Sequence, residues 1–340
     1  MKRDNHLLEQ IADLENLRLA FWKARKGKEG KIEVKKYRNK LDLNLEKLRK
    51  ELLSGEIAVG NYHYFTIYDP KERRICAAPF SERVLHHALM NVCHASFERY
   101  QIFHSYATRI NKGTYAAIEQ AWENQKKFKW FLKLDARKYF DSIDHSILKE
   151  LLKRRFKEVK LLEILHSIID SYQTAQGKGV PIGNLTSQYF ANHYLALADH
   201  AVLERLQIPA YVRYMDDMIL WANTKEELVE KGEQFKECVE QELKLTLKPF
   251  CLNKTEKGLP FCGYLLFPTH KRLNNNSKKR FVAKSKQYKQ YLEKGEWDQK
   301  TYQQHIIPLL AFTKHAKTVG FRRKIFYSSA RVHTAEARTA

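Results

Sequence analysis

The sequence predicts an α+β fold in which an antiparallel sheet is backed by helices, and three observations support that class. The 340 residues are 44% hydrophobic with only 13 Gly and 8 Pro, a composition typical of globular chains. Segments 130–135 and 211–222 have the residue pattern of β-strands. Amphipathic helical patterns surround them without the regular strand–helix repeat of a doubly wound sheet.

The charge balance indicates a polyanionic partner. The chain has 61 Lys and Arg against 39 Asp and Glu, a net charge of +22, which favours nucleic acid first and an anionic membrane second. No apolar stretch reaches the length of about 20 residues that a membrane span needs. The first ten residues, MKRDNHLLEQ, lack a signal-peptide core. We therefore expect a cytoplasmic protein without a membrane partner.

Strands and helices can be placed around one acidic motif. WFLKLD (130–135) alternates as a strand with an apolar back and a polar front, and Asp135 stands on the front near its end. DHSILKELLKRRF (144–156) predicts an amphipathic helix capped by Asp144, and residues 185–206 predict a second, longer helix. YVRYMDDMILWA (211–222) predicts a hairpin with two carboxylates at its tip.

The paired carboxylates Asp216 and Asp217 lie within an apolar run, where an unneutralised charge is costly. A surface turn is one explanation. The other is metal-assisted phosphoryl transfer, which needs two divalent ions about 3.5–4 Å apart, held by carboxylates from rigid strands. If the strand ending at Asp135 neighbours the hairpin, three acids converge on a site for Mg²⁺, which prefers oxygen ligands.

Six sequence blocks, in this order, resemble the reverse transcriptase family. They are RRICAAPFSERVLHHAL (73–89), SYATRINKGTYAAI (105–118), LDARKYFDSIDH (134–145), IGNLTSQYFANHYL (182–195), YMDD (214–217) and GLPFCGYLLFP (258–268). The resemblance implies a right-hand polymerase with fingers, a palm and a helical thumb. It also implies RNA-directed DNA synthesis from dNTPs by two-Mg²⁺ nucleotidyl transfer, with an RNA template and a cDNA/RNA duplex as partners.

The resemblance assigns roles to the palm residues. Asp135 and Asp216 would bind both Mg²⁺ ions, for which Mn²⁺ could substitute, and Asp217 would adjoin them. The backbone of Ala136 would face the metal-bound triphosphate. Phe140 matches the steric gate that collides with a ribose 2′-OH, although it could equally be a core aromatic.

Four further residues receive roles outside the palm motifs. Arg73 and Arg74 match the finger position whose guanidinium grips the nucleotide phosphates, and the sequence leaves open which one does so. A solvated surface pair is the alternative for both. Lys254 resembles the family lysine near the β- and γ-phosphates, and Gly263 matches the turn that grips the primer end.

The block IGNLTSQ resembles the reverse transcriptases of diversity-generating retroelements, because Ile182, Gly183 and Gln188 reproduce their I-G-x-x-x-S-Q form at the dNTP site. These bacterial, archaeal or phage enzymes copy template-repeat RNA into cDNA with errors at template adenines, for retrohoming into a variable gene. They work with a small basic accessory variability protein. One interpretation of the errors is that Ile182 cannot form the hydrogen bond with the nucleotide that a glutamine could form. The alternative is that Ile182 simply packs against a neighbouring strand.

Two alternatives to this function stay open. One is a retron-like, CRISPR-associated or phage-defence reverse transcriptase, which the IGxxxSQ block disfavours. The other is an inactive RNA-binding scaffold. The presence of all three acids, Asp135, Asp216 and Asp217, argues against this alternative.

Three domains are expected. They are an N-terminal helical extension of the fingers (1–60), fingers and palm (61–270) and a basic helical thumb (271–340). The last carries 17 Lys and Arg against four Asp and Glu, a net charge of +13 that favours duplex binding over a merely solubilising face. Within it we expect a linker at 273–280, a helix at 281–295 stopped by Gly295, and a second helical run at 306–326 interrupted at Pro308.

Overall fold

Helices dominate the computed structural model, which describes residues 3–68 and 72–326. The helices are α1 (Leu8–Ile11), α2 (Leu14–Arg25), α3 (Ile32–Asn39), α4 (Leu41–Ser54), α5 (Phe80–Glu98), α6 (Gly113–Lys127), α7 (Tyr139–Ser142), α8 (His145–Lys153), α9 (Val159–Asp170), α10 (Leu185–His200), α11 (Lys225–Leu243), α12 (Asn275–Glu293) and α13 (Gln299–Lys314). The strands are β1 (His63–Tyr68), β2 (Glu72–Ala77), β3 (Trp130–Asp135), β4 (Ala210–Tyr214), β5 (Asp217–Ala222), β6 (Cys251–Lys254), β7 (Leu259–Phe261), β8 (Tyr264–Leu266) and β9 (Lys271–Leu273). In these described ranges, no helix combines the length and the apolar character that a membrane crossing requires.

The central sheet has four antiparallel strands in the order β4-β5-β3-β6. Strands β4 and β5 form the predicted hairpin, and β3 lies between β5 and β6. A second sheet joins β7, β8 and β9, and β1 pairs with β2 as a separate ribbon. The predicted α+β class with an antiparallel sheet is confirmed.

Both faces of β3 are covered by other parts of the protein. The prediction of a polar front is therefore wrong in one respect, because part of that face is buried. Leu132 and Leu134 pack into the larger hydrophobic cluster, as predicted. On the other face Phe131 is buried in a second cluster, formed with α6 and the β7–β8–β9 sheet. Lys133 and Asp135 lie on this second face and keep 20% and 33% of their side chains exposed. The alternation was read correctly, but sequence did not reveal the layer that covers the front.

The two predicted palm helices are present. The first is α8, and its N-cap is the expected Asp144, whose carboxylate accepts hydrogen bonds from the backbone of Ser146 and Ile147. The second is α10, which continues through a π-helical turn over Ala201–Arg205 and so fills the predicted range.

The N-terminal helices share the main hydrophobic core. The larger cluster contains Leu17 and Phe21 of α2, Leu89 of α5 and Leu148 of α8. The N-terminal segment contributes the helices α1 to α4, between residues 8 and 54. The domain boundaries at 60 and 270 stay predictions.

The C-terminal helices differ from the expected pattern at two points. The asparagine run is not a linker, because Asn274 caps α12 by accepting a hydrogen bond from the backbone of Ser277. Helix α13 begins at Gln299 and continues through Pro308, with Ile306 and Thr313 buried on either side of it. Gly295, with φ of 72°, follows the end of α12 as predicted. Residues 319–326 are helical again, and 327–340 lie outside the described residues.

Candidate active site

The tip of the β4–β5 hairpin carries two carboxylates beside the end of β3. Tyr214 pairs with Asp217 across the hairpin, so that Met215 and Asp216 form the turn, and Met215 has a φ of 55°. Asp217 also pairs with Asp135 of β3. Directly opposed residues in an antiparallel pair have Cβ atoms about 5 Å apart. The strand register alone therefore brings Asp135 and Asp217 together.

The third carboxylate, Asp216, interacts with the other two. Burial, and then the negative charges of Asp135 and Asp217, raise the pKa of Asp216 above its usual value. The positive charge of Lys248 opposes this shift. Such a response is characteristic of a carboxylate desolvated among like charges. The three acids therefore form one electrostatically coupled cluster.

Two lysines partly neutralise this acidic cluster. Lys248 Nζ lies 2.8 Å from Asp135 Oδ1, and Lys133 Nζ lies 2.9 Å from Asp217 Oδ1. Lys248 reaches this position because the chain around it runs antiparallel beside the end of β3, and its backbone N–H donates to the Asp135 carbonyl at 2.9 Å. Both ammonium groups balance part of the negative charge of the acidic cluster.

The donor chemistry of the acidic cluster fits a hard divalent cation such as Mg²⁺. Asp135 Oδ1 is buried and receives no hydrogen bond from any described residue, despite its closeness to Lys248. The ammonium of Lys248 offsets part of the cost of burying this oxygen, and a divalent cation could take that place. Among the described His, Cys, Asp and Glu side chains, no group of three or more is already gathered around a metal position.

The loop before α10 contacts β2 directly. The carbonyl of Ile182 accepts a hydrogen bond from the backbone of Cys76 at 2.8 Å. Gly183 has a φ of 120°, and a Cβ at this position would lie 2.9 Å from Ile75 Cγ2. Only glycine allows this backbone conformation and this close approach without strain. The predicted Ile-Gly block thus contacts the strand that carries both candidate arginines.

Arg73 and Arg74 lie on opposite faces of β2, because neighbouring side chains alternate along a strand. Arg74 stacks its guanidinium over Tyr64, 4.4 Å from the ring centroid. Burial, followed by the charge of Asp141, raises the pKa of Tyr172, and Arg74 lowers it. The Arg74 face of the ribbon is therefore the one nearer Tyr172, and both arginines are exposed.

The remaining palm candidates lie close to the same loops. Ala136 is buried directly after Asp135. Phe140 is half-buried against the main core, and its carbonyl accepts a hydrogen bond from the backbone of Val180 at 2.9 Å. This bond joins the segment after β3 to the loop that carries Ile182. Gln188 is half-buried in the first turn of α10.

The turn between β7 and β8 reaches the acidic cluster from the other side. Cys262 and Gly263 form this turn, both with positive φ. Burial, and then the negative charge of Asp217, raise the pKa of Cys262 to about 12. Lys133 donates to the carbonyl of Pro260 at 3.2 Å and so links this hairpin to Asp217.

Comparison with known proteins decides the family. Residues 69–266, more than half of the chain, match the family model described as reverse transcriptase (RNA-dependent DNA polymerase). The chain belongs to the reverse transcriptase family. This membership confirms the prediction of an RNA-directed DNA polymerase domain.

Three relatives and one solved structure resemble this reverse transcriptase. The COX1/OXI3 intron 1 protein of Saccharomyces cerevisiae is 24% identical over 213 residues, 58% of this chain and 25% of the relative. The COX1/OXI3 intron 2 protein of the same yeast is 22% identical over 211 residues, 58% of this chain and 24% of the relative. Protein YkfC of Escherichia coli is 25% identical over 292 residues, 68% of this chain and 74% of the relative.

The solved structure is the apo telomerase from Candida tropicalis. It superposes with a TM-score of 0.50 and 14% identity over 66% of this chain and 49% of that chain. The likeness concerns the fold, and the predicted right-hand polymerase architecture is confirmed. The chain spans about a quarter of the length of the yeast relatives.

Lys254 of this reverse transcriptase does not join the carboxylates. It pairs with Trp130 at the start of β3, whereas Asp135 ends that strand. Five residues at about 3.3 Å each separate the two positions by roughly 16 Å. The sequence around Lys254 matches the family motif, but β6 pairs antiparallel with β3 in a register that places Lys254 at the end of the sheet opposite Asp135.

Sequence reasoning missed three residues near the acidic cluster. Lys248 gave no signal, because it reaches Asp135 through a pairing between distant segments. Lys133 was read only as part of a polar front. Arg213 was detectable, since a charged side chain in a β-rich run such as YVRYM requires a partner when it is buried.

Proposed function

We propose that this reverse transcriptase copies the template-repeat RNA of a diversity-generating retroelement into cDNA for mutagenic retrohoming into a variable gene. The polymerase part of the proposal depends on one observation, the register that sets Asp135 opposite Asp217 with Asp216 in the adjoining turn. The proposed substrates are dNTPs and an RNA template with its cDNA/RNA duplex. The proposed protein partner is a small basic accessory variability protein.

The three acids are the proposed ligands of two Mg²⁺ ions. Such ions activate the attacking primer hydroxyl and stabilise the leaving pyrophosphate. Lys248 and Lys133 neutralise Asp135 and Asp217 while no metal is bound, and so limit the cost of a buried carboxylate cluster. Both lysines have exposed surface and long side chains, so they can release the carboxylates without a backbone movement.

The proposed nucleotide contacts come from β2 and from the segment after β3. Arg73 and Arg74 are both candidates for the triphosphate contact: Arg74 stacks on Tyr64, and Arg73 shares its face of β2 with Ile75, which lies against Gly183. The backbone of Ala136 would adjoin the triphosphate, and the ring of Phe140 would exclude a ribose 2′-OH. Lys254 is left out of this site because of its distance from Asp135.

The retroelement assignment depends on the block that contains Ile182, Gly183 and Gln188. Its support in the structure is the contact between this block and β2, which carries both candidate triphosphate ligands. An apolar side chain at position 182 cannot replace the hydrogen bond of a glutamine. A net hydrogen bond contributes about 0.5–1.5 kcal/mol, enough to alter discrimination between nucleotides by up to about tenfold.

Primer extension on an RNA template tests the polymerase proposal. We expect Asp216→Asn to lower incorporation by about a thousandfold, since each tenfold corresponds to about 1.36 kcal/mol and metal charge stabilisation contributes several kcal/mol. Asp170→Asn is the control, because this exposed carboxylate pairs with Lys149 away from the acidic cluster. Equal incorporation by wild type and Asp216→Asn would contradict the proposed site and favour an RNA-binding scaffold.

cDNA synthesis on candidate templates tests the retroelement assignment. The wild-type chain is incubated with a template-repeat RNA, with and without the accessory protein, and the cDNA is sequenced. We expect misincorporation concentrated at template adenines and greater synthesis with the accessory protein. Accurate copying, or synthesis only from a structured non-coding RNA, would instead support a retron-like enzyme.

A further inference from the structure

A basic groove lies at the end of the central sheet opposite the acidic cluster. It encloses about 690 Å³, within the range of ligand-binding clefts. The start of β3 and the ends of β5 and β6 meet there, about 16 Å from Asp135 along β3. We call it the back groove, and its principal lining residues are Lys127, Phe128, Lys129, Trp130, Lys254 and Phe267.

The lysines of the back groove are available to an external anion. Lys127, Lys129 and Lys254 are exposed, and none makes an ion pair with a carboxylate in the described part of the chain. Lys126 also lines the groove but is held by Glu123 at 2.7 Å. Glu256 is the single acid among the lining residues, so the wall is positively charged overall.

Aromatic rings with fixed positions stand between these lysines. Trp130 is half-buried, and Lys254 Nζ lies 5.6 Å from its ring centroid, within cation–π range. Phe267 stacks on His270 with centroids 4.8 Å apart and planes at 13°. Gly258, with φ of 82°, leaves space for this ring, because a Cβ there would lie 2.8 Å from Phe267. The rings are therefore held in place before any ligand binds.

We propose that the back groove binds single-stranded RNA outside the catalytic cleft. Unpaired bases stack on aromatic side chains while lysines follow the phosphates, and the back groove offers both. A duplex hides its base faces, and an acidic protein segment would not need the rings. The identity of the polyanion as RNA rests on the proposed template-copying function. The inference also accounts for Lys254, which the catalytic end of the sheet does not use.

A charge-matched pair of triple variants tests the proposal in the full chain. The groove variant is Lys127→Gln, Lys129→Gln, Lys254→Gln. The control is Lys47→Gln, Lys153→Gln, Lys236→Gln, in which each lysine pairs with a glutamate on its own helix. Binding of a labelled single-stranded oligoribonucleotide is measured by anisotropy over a range of salt concentrations. A saturating, chain-terminated primer–template duplex occupies the catalytic cleft throughout.

We expect the groove variant to bind the single strand about tenfold more weakly and with a shallower salt dependence. The slope of log K against log salt should fall by about 2, since each neutralised phosphate of a single strand contributes about 0.7. The control should keep the wild-type slope. Equal slopes for the groove variant and the control would overturn the proposal.

Tryptophan fluorescence provides a second readout that does not depend on charge. Single-stranded RNA should quench the wild-type signal, and Trp130→Phe should lose that quenching while it retains an aromatic ring. Unchanged quenching in Trp130→Phe, or equally strong binding of oligoglutamate, would contradict stacking in the back groove. Primer extension on a template with only a short single-stranded overhang, which the catalytic cleft alone accommodates, should be unaffected in the groove variant, whereas Asp216→Asn should lose extension and keep groove binding. The two proposals therefore fail separately.

Discussion

Arg213, in the β4 strand of the hairpin that carries the proposed metal ligands, forms a fully buried ion pair with Asp199 of α10. Arg213 Nη2 lies 2.6 Å from Asp199 Oδ2, its Nε donates to Oδ1 at 2.7 Å, and both side chains have 0% exposure. Arg213 Nη1 also donates to the carbonyl of Met215 in the hairpin turn at 3.1 Å. The pair therefore ties α10 to the turn that presents Asp216.

Breaking this pair should destabilise the protein strongly. Asp199→Ala leaves a buried guanidinium without its counter-charge, so we expect a loss of about 3–5 kcal/mol in the free energy of unfolding, measured in urea. Glu150→Ala is the control, because it removes an exposed partner of Lys153 and should cost less than about 1 kcal/mol. Similar losses in the two variants would show that the buried pair has no special structural role.

Removal of the charge of Asp216 should stabilise the metal-free protein. A carboxyl group whose pKa is raised by folding favours unfolding when it is ionised, so neutral Asn at this position removes a cost at pH 7. We expect Asp216→Asn to unfold at higher urea concentration with EDTA present. The gain should shrink as the pH falls toward the usual Asp range, where the wild-type carboxyl is protonated in both states. Asp217→Asn, which loses its contact with Lys133, should show no such gain.

Lys248 should compete with metal for Asp135. Both side chains of this ion pair are partly exposed, and such a pair contributes about 0.2–1 kcal/mol, so Lys248→Gln should lower the Mg²⁺ concentration for half-maximal primer extension by up to about fivefold. Lys254→Gln, at the other end of β3, should leave that concentration unchanged. The proposed competition is wrong if both variants respond alike.

Ile182 should contribute to errors at template adenines. Ile182→Gln restores a side chain that can hydrogen-bond near the proposed nucleotide site, so we expect up to about tenfold fewer substitutions in sequenced cDNA. Val159→Gln, an equally polar change at an exposed position, is the control. An unchanged error spectrum in Ile182→Gln would remove this residue from the explanation.

Buried His193 should make the protein sensitive to mild acid. Burial lowers the pKa of His193 to about 4 from an ordinary value of 6.5. Between pH 6.5 and pH 4 the imidazole of His193 is protonated in the unfolded chain but not in the folded one. The free energy of unfolding therefore falls as the pH drops through this interval, by about 3 kcal/mol in total. Urea unfolding from pH 7 to pH 4 should give a shallower pH dependence for His193→Gln than for wild type. Parallel curves would contradict this assignment.

Local patterns predicted the parts of the fold in which neighbouring residues decide the structure. The hairpin around YMDD, the strand before Asp135 and the capped helix after Asp144 are all present. The prediction of a linker at 273–280 was wrong because asparagine, which favours turns, is equally suited to cap a helix, as Asn274 does. The prediction of a helix break at Pro308 was wrong because the burial of Ile306 and Thr313, on either side of the proline, outweighs the loss of one backbone hydrogen bond.

Residue order along the chain was enough to identify the family, the strand ends that carry the acids and the excess of positive charge. It determined these because motif identity, strand periodicity and composition depend on residues close together along the chain. The folded arrangement was needed to show that Lys248 neutralises Asp135, that Arg213 and Asp199 support the hairpin, and that Lys254 lies at the opposite end of the sheet. These relationships depend on pairings between distant segments, and no local pattern specifies the register of such a pairing.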